Sequence, residues 1–143
     1  MEQIVPGPEM IGRLCETAVA MRQMSYVPYS HFRVGAALLT ADGEIFTGCN
    51  IENAAYTPTV CAERTAIFKA VSEGHRSFAA LAISGGPEDG ELQYCAPCGV
   101  CRQVMAEFCG RDFPVYLAKS GTDYEEHTLG ELFPVGFSAD NLK

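Results

Sequence analysis

The sequence predicts an α/β layered domain with a mixed sheet. Three observations carry that expectation: stretches with helical apolar spacing alternate with short apolar runs, turn residues separate them, and a hairpin signal joins two strand-like runs. A first helix opens near Pro8, a residue favoured in the first turn, and runs to about Met24. Pro28, Tyr29 and Ser30 form a turn into a strand from Phe32 to Leu39. Ala41, Asp42 and Gly43 signal a hairpin, with Glu44 to Cys49 as the returning strand. A polar loop covers Asn50 to Thr59.

Cys61 to Glu73 reads as a helix, because Ala62, Ala66, Ile67, Ala70 and Val71 recur at helical spacing and Gly74 can end it. Phe78 to Ile83 is a short apolar run suited to a buried strand. Pro97 can open a further helix that buries Val104, Met105 and Phe108 and stops at Gly110. Pro114 to Ala118 is the next strand, and Thr128 with Glu131 has capping-box spacing for a short last helix. The residues thus give helix, two strands, helix, strand, helix, strand, helix.

A length of 143 residues is that of one ordinary domain, so residues 1–143 are expected to form a single unit. The apolar share of 48% and charged share of 20% suit a packed globular protein. Ten Lys and Arg against eighteen Asp and Glu leave a net charge of -8, which disfavours strong binding to nucleic acid. A neutral small molecule is the better partner. The opening residues carry no basic, apolar leader pattern, and no stretch reaches the roughly 18 to 20 apolar residues of a membrane span. Seven cysteines, an odd number with a C-x-x-C-x-x-C run, read as metal chemistry in a reducing compartment, so a cytoplasmic location is expected.

Two expected helix starts carry the chemistry: Cys61-Ala62-Glu63-Arg64 and Pro97-Cys98-Gly99-Val100-Cys101-Arg102-Gln103. Cys98 and Cys101, three apart, share one face, and Cys61 opens the other helix. If both N-termini aim at one ion, three thiolates converge and a fourth position stays open. That is the arrangement of a catalytic zinc rather than a structural one. Helix N-termini also favour thiolates through the dipole and free N–H groups. An iron–sulfur reading of Cys95, Cys98 and Cys101 is disfavoured because the next cysteine, Cys109, is misplaced and no Pro follows it. Cys95 precedes Pro97 and is left out of the zinc set. Cys15, Cys49 and Cys109 receive no role, and neither do His31, His75 and His127.

A Cys-x-Glu followed by Pro-Cys-x-x-Cys resembles the nucleobase-deaminase signature. The fuller likeness is to the small, all-cysteine cytidine deaminases. It rests on Phe-Arg-Val-Gly-Ala-Ala at 32–37, Gly-Cys-Asn-Ile-Glu-Asn-Ala at 48–54, Cys-Ala-Glu-Arg-Thr-Ala at 61–66, Pro-Cys-Gly-Val-Cys-Arg-Gln at 97–103 and Glu-Leu-Phe-Pro-Val-Gly-Phe at 131–137. The resemblance implies a three-layer α/β/α fold with a mixed five-stranded sheet, one zinc per chain, and hydrolysis of cytidine and deoxycytidine to the uridine forms with release of ammonia.

It also implies roles. Glu63 resembles the family's proton shuttle, taking a proton from the attacking water, passing it to ring N3 and then protonating the departing amine. Arg64 matches the arginine that offsets the charge of the thiolates, with Arg102 the weaker candidate. Phe32 matches the residue lining the pyrimidine pocket, Asn50 and Glu52 the pair that hydrogen-bonds the ribose hydroxyls, and Ala54 a backbone contact to the base. Tyr56 and Phe137 look like residues that reach a neighbouring subunit's site, since the family forms homotetramers. The segment Thr57-Pro58-Thr59-Val60 departs from relatives and leaves the loop shape open. The rival readings are a deaminase of a related nucleoside such as blasticidin S, a polynucleotide editor, and a non-catalytic zinc or nucleoside-binding module. Asn50 to Ala54 argues against the first, the acidic charge against the second, and an intact Glu63 against the third.

Overall fold

The computed structural model describes residues 4–143. Helix α1 spans Pro8–Met21, and a single 3-10 turn, Arg22–Met24, completes the helical stretch the sequence predicts. Strand β1 is Phe32–Thr40, β2 is Ile45–Cys49 and helix α2 is Ala62–Ser72. Strand β3 is Phe78–Pro87, helix α3 is Gly99–Phe108 and strand β4 is Pro114–Ala118. Strand β5 is Tyr124–Thr128, followed at once by the one-turn helix α4, Leu129–Leu132. The five strands form one sheet in the order β2-β1-β3-β4-β5. Within this sheet β3 and β4 run parallel, and the other neighbouring strands among the described residues are antiparallel.

Alternation along the central strands explains the layers. Ala36 and Leu38 of β1 and Leu81 and Ile83 of β3 face α2 and α3 in one core, with Ala66, Ile67 and Met105. Ala37 and Leu39, with Ala80 and Ala82, face Leu14, Cys15 and Ala18 of α1 in the other. Both faces of the sheet are therefore covered, which is why the central strands read as unbroken apolar runs. The three-layer α/β/α arrangement and the mixed five-stranded sheet agree with the expectation from resemblance. Among the described residues no helix is long and apolar enough to cross a membrane.

Three local differences from the sequence reading have physical causes. Strand β3 continues past Ile83 to Pro87 because Gly85 and Gly86 pair with Val34 and Arg33 of the long β1. These glycines are sites of close approach rather than a turn: a Cβ at Gly85 would stand 2.7 Å from Cys95 Sγ, and one at Gly86 would stand 2.7 Å from the Glu91 carbonyl. Strand β5 is absent from the residue-by-residue reading, since Tyr-Glu-Glu-His-Thr has no apolar alternation. Pairing along β4 makes it a strand, and its charged residues suit an exposed sheet edge. Finally, α3 begins at Gly99 rather than Pro97, because Cys98 is the extended N-cap with ψ 167° and Pro97 lies outside the helix.

Candidate metal and active site

Cysteines occupy the N-cap positions of both α2 and α3, where Ser, Thr, Asp or Asn usually stand. Neither Cys61 nor Cys98 spends its sulfur on capping its own helix. An N-cap side chain lies over the residue three positions on, as in a capping box. Cys98 and Cys101 are related in that way, and their sulfurs are 3.5 Å apart. Helix α2 brings in the third thiol by close packing on β2. A Cβ at Gly48 would stand only 2.3 Å from the Ala62 carbonyl and 2.6 Å from the Ala66 nitrogen, so this glycine lets the start of α2 sit against the sheet. Cys61 Sγ comes to 3.5 Å from Cys98 Sγ.

The sulfurs of Cys61, Cys98 and Cys101 lie within 4.8 Å of one another, a group that could hold one metal ion. Zinc bonded tetrahedrally to thiolates at about 2.3 Å would place sulfurs about 3.8 Å apart, so the group fits the ion with little adjustment. Cys101 is buried and Cys98 exposed, which leaves the cluster open on one side. Hydrogen bonding with the Cys101 thiol, supported by the Arg64 guanidinium and the Cys98 thiol, brings the Cys61 pKa down to about 5 against the effect of burial. Cys101, the proton-holding partner in this contact, is shifted upward by it and by burial.

Glu63 is on the first turn of α2 and only 3% exposed. Burial, chiefly, raises its carboxyl pKa to about 7, with the Cys61 charge adding to the effect. A carboxyl that exchanges its proton near neutral pH is what acid–base work requires. Arg64 Nη2 donates to Cys61 Sγ at 3.4 Å. Arg102 is used elsewhere: it donates from Nε to the Pro97 carbonyl at 2.8 Å and from Nη1 to the Leu132 carbonyl, tying the start of α3 to α4. Cys95 is outside the three-thiol group. Its sulfur packs on Gly85 beside the Phe32 ring, and burial first, then the nearby Glu63 and Cys61, raise its pKa to about 11.

Phe32 begins β1, half-buried, with its ring edge beside Gly85. Asn50 Nδ2 donates to the Phe32 carbonyl at 2.9 Å, and its Oδ1 accepts from the Val34 N–H at 3.0 Å. Glu52 Oε1 accepts from the N–H groups of Tyr29 and Ser30 at 3.0 and 3.1 Å. Burial pushes the Glu52 carboxyl up, yet these hydrogen bonds and those of the Ser30 hydroxyl outweigh it, and the pKa is lowered. Glu52 and Tyr56 line an open pocket of about 400 Å³ with Tyr29, Ser30 and Thr59. Ala54 is exposed in the loop before Tyr56. Tyr56 is 72% exposed at φ +64° and meets Tyr29 edge-on at 6.3 Å. Phe137 is 56% exposed, and its carbonyl accepts from Gln103 Nε2 at 2.8 Å. The single chain therefore presents both aromatics to the outside. A larger cavity of about 640 Å³, lined in part by Phe78, Phe108 and Phe113, contains none of these site residues.

Three polar features carried no functional signal in the sequence. Ser30 reads only as a turn residue, and its hydroxyl proves to join Glu52 to Phe32. Its place two residues before Phe32 is the local sign of a serine turn. Arg33 and His31 both meet Glu88, at the start of the loop that leads to Cys98. His75 has Nε2 2.6 Å from Glu44 and Nδ1 3.8 Å from Asp42 at the hairpin, so its two ring nitrogens face different carboxylates.

Residues 8–117 match the family model of the cytidine and deoxycytidylate deaminase zinc-binding region. The chain is 53% identical over 132 residues to a cytidine deaminase of Sporosarcina psychrophila, covering 92% of this chain and 94% of that protein. It is 49% identical over 129 residues to a cytidine deaminase of Halalkalibacterium halodurans, covering 90% and 95%. The crystal structure of cytidine deaminase from Burkholderia pseudomallei is similar with a TM-score of 0.78 and 46% identity, covering 87% of this chain and 97% of that one. A three-thiol group at two helix N-termini beside a buried glutamate thus coincides with a match that spans the same helices. The chain belongs to the cytidine and deoxycytidylate deaminase zinc-binding family.

Proposed function

We propose that this protein deaminates free cytidine and deoxycytidine by hydrolysis, giving uridine and deoxyuridine with release of ammonia in pyrimidine salvage. The observation that carries the reading is Glu63, buried on the same helical turn as Cys61 and beside the group completed by Cys98 and Cys101. When bound by these three thiolates, zinc lowers the pKa of water so that a nucleophile is available near neutral pH. Glu63 takes the proton of the attacking water and gives it to ring N3. As the water oxygen bonds to C4, the C4–amine bond weakens, and Glu63 passes the second proton to the amine that leaves as ammonia. Arg64 offsets thiolate charge at Cys61 through its hydrogen bond.

Phe32 lines the base pocket and Ala54 offers a backbone contact to the pyrimidine. Asn50 and Glu52 bind the ribose hydroxyls, and the anionic Glu52 disfavours a 5'-phosphate. Tyr56 and Phe137, both exposed on one chain, complete the site of a neighbouring subunit in a homotetramer. In this reading residues 1–143 form one domain, and the cysteine spacing, which suits a reducing compartment, supports a cytoplasmic location.

Ammonia release is measured for the zinc-loaded protein with cytidine, deoxycytidine, free cytosine and cytidine 5'-phosphate. The two nucleosides should turn over well, and the base and the nucleotide poorly. Equal kcat/KM for nucleoside and nucleotide would show the sugar pocket to be misassigned. No ammonia from either nucleoside would reject the activity.

A further inference from the structure

The polar groups around Phe32 form a continuous chain. Backbone pairing of Tyr26 with Ile51 lays residues 50–52 alongside the turn that precedes β1: the Tyr26 N–H donates to the Asn50 carbonyl at 3.0 Å and the Glu52 N–H to the Tyr26 carbonyl at 2.9 Å. Glu52 thereby reaches the turn at residues 29–30. Its Oε1 holds the two backbone N–H groups, and its Oε2 accepts from the Ser30 hydroxyl. The Ser30 oxygen in turn accepts from the Phe32 N–H at 3.0 Å. Asn50 secures the other side of the same residue through its carbonyl. A carboxylate offers about four acceptor sites. Three are filled here, and the free one is on Oε2, the oxygen that Ser30 orients.

We propose that Ser30 is a positioning residue for the substrate site, aiming the free acceptor of Glu52 at a ribose hydroxyl while fixing the backbone of Phe32. This rests on the reading of Asn50, Glu52 and Phe32 as substrate contacts and adds a residue to it. Without the Ser30 hydroxyl, Glu52 keeps the two backbone donors on Oε1, but Oε2 becomes free to rotate toward water. Its hydrogen bond to the sugar must then be formed from a disordered carboxylate, and the cost falls on substrates that carry the hydroxyls. Ser30 is on an exposed turn, so its truncation leaves both cores intact.

The test compares wild type, Ser30→Ala and Ser30→Thr on cytidine and on 2',3'-dideoxycytidine, which lacks both ribose hydroxyls of that edge. A lost hydrogen bond to a charged group predicts that Ser30→Ala lowers kcat/KM for cytidine about tenfold, mainly through KM, and for the dideoxynucleoside less than about threefold. Ser30→Thr, which keeps a hydroxyl, should recover most of the loss. Ser30→Cys, with a weak donor at similar size, should fall between wild type and Ser30→Ala. Equal losses on both nucleosides in an enzyme whose wild type favours cytidine, or no loss on cytidine, would overturn the positioning role. Equal wild-type kcat/KM for the two nucleosides would instead overturn the ribose reading of Asn50 and Glu52, and the role of Ser30 with it.

Discussion

Arg64 stands to Cys61 as Cys101 stands to Cys98: each is the third residue of its helix and meets the sulfur of its own N-cap, at 3.4 and 3.5 Å. The two helix starts are thus variants of one device, with a guanidinium on α2 where α3 supplies a second thiol. The guanidinium brings positive charge to a group that becomes strongly anionic when all three sulfurs are deprotonated.

Replacing that charge should weaken metal retention without removing a sulfur. Groups that hydrogen-bond to metal ligands commonly matter roughly 10- to 100-fold in affinity. Arg64→Gln is expected to lose zinc to a chelating dye at a correspondingly lower dye concentration, with Arg64→Lys intermediate. Unchanged retention in Arg64→Gln would remove the charge-offsetting role.

Single cysteine variants separate ligands from neighbours. Cys61→Ala, Cys98→Ala and Cys101→Ala should each purify with little zinc, measured by elemental analysis. Cys95→Ala should keep one zinc per chain, because its sulfur packs on Gly85 outside the three-thiol group. Full occupancy in Cys98→Ala, or loss in Cys95→Ala, contradicts the assignment.

Glu63→Gln retains size and removes the exchangeable carboxyl. The folded variant should hold zinc yet lose kcat by roughly 10² to 10⁴-fold or more, the range for a general acid–base group. A zinc-loaded variant with near wild-type kcat would exclude the shuttle.

Close packing at Gly48 predicts a coupled loss of stability and metal. An added methyl meets the α2 backbone, and overpacking of this kind costs about 1–3 kcal/mol. Urea denaturation of Gly48→Ala should show a lower midpoint, and the displaced start of α2 should bind zinc less tightly. Unaltered midpoint and zinc content would mean the helix moves away without cost.

Shared sites can be tested by mixing two impaired chains. Under the proposed sharing, Phe137→Ala should remove a large aromatic contact from a neighbour's pocket, whereas Glu63→Ala should disable a chain's own site. Differently tagged chains co-assembled in one oligomer should regain activity above either parent. Mixed oligomers without recovery, or an active monomer, would refute site sharing.

Much of the fold is legible in local patterns. The apolar spacing of α2, the hairpin at Ala41 to Gly43 and the capping box of Thr128 and Glu131 each state their structure within a few residues, and the capping box forms with both of its hydrogen bonds. Strand β5 and the far end of β3 do not, because Glu125, Glu126, Gly85 and Gly86 have no strand signal of their own. Their conformation is imposed by the neighbouring strands, β4 and β1. The candidate site divides in the same way. Cys61, Cys98 and Cys101 stand out through spacing and Glu63 through the family resemblance, while Ser30 looks like an ordinary turn residue.

Residue types, their spacing along two helix starts, and the alternating layers into which those helices fall are readable from short stretches of the chain. These are local properties, set by chain geometry and by which faces are apolar. Packing in three dimensions makes the two N-caps meet, turns Arg64 rather than Arg102 to the sulfur, and joins Glu52, Ser30, Asn50 and Phe32 in one hydrogen-bonded set. Those relationships join residues far apart in the chain. They exist because Gly48 lets α2 approach the sheet and because residues 50–52 pair with the turn before β1, and both depend on packing between elements that no single stretch of sequence contains.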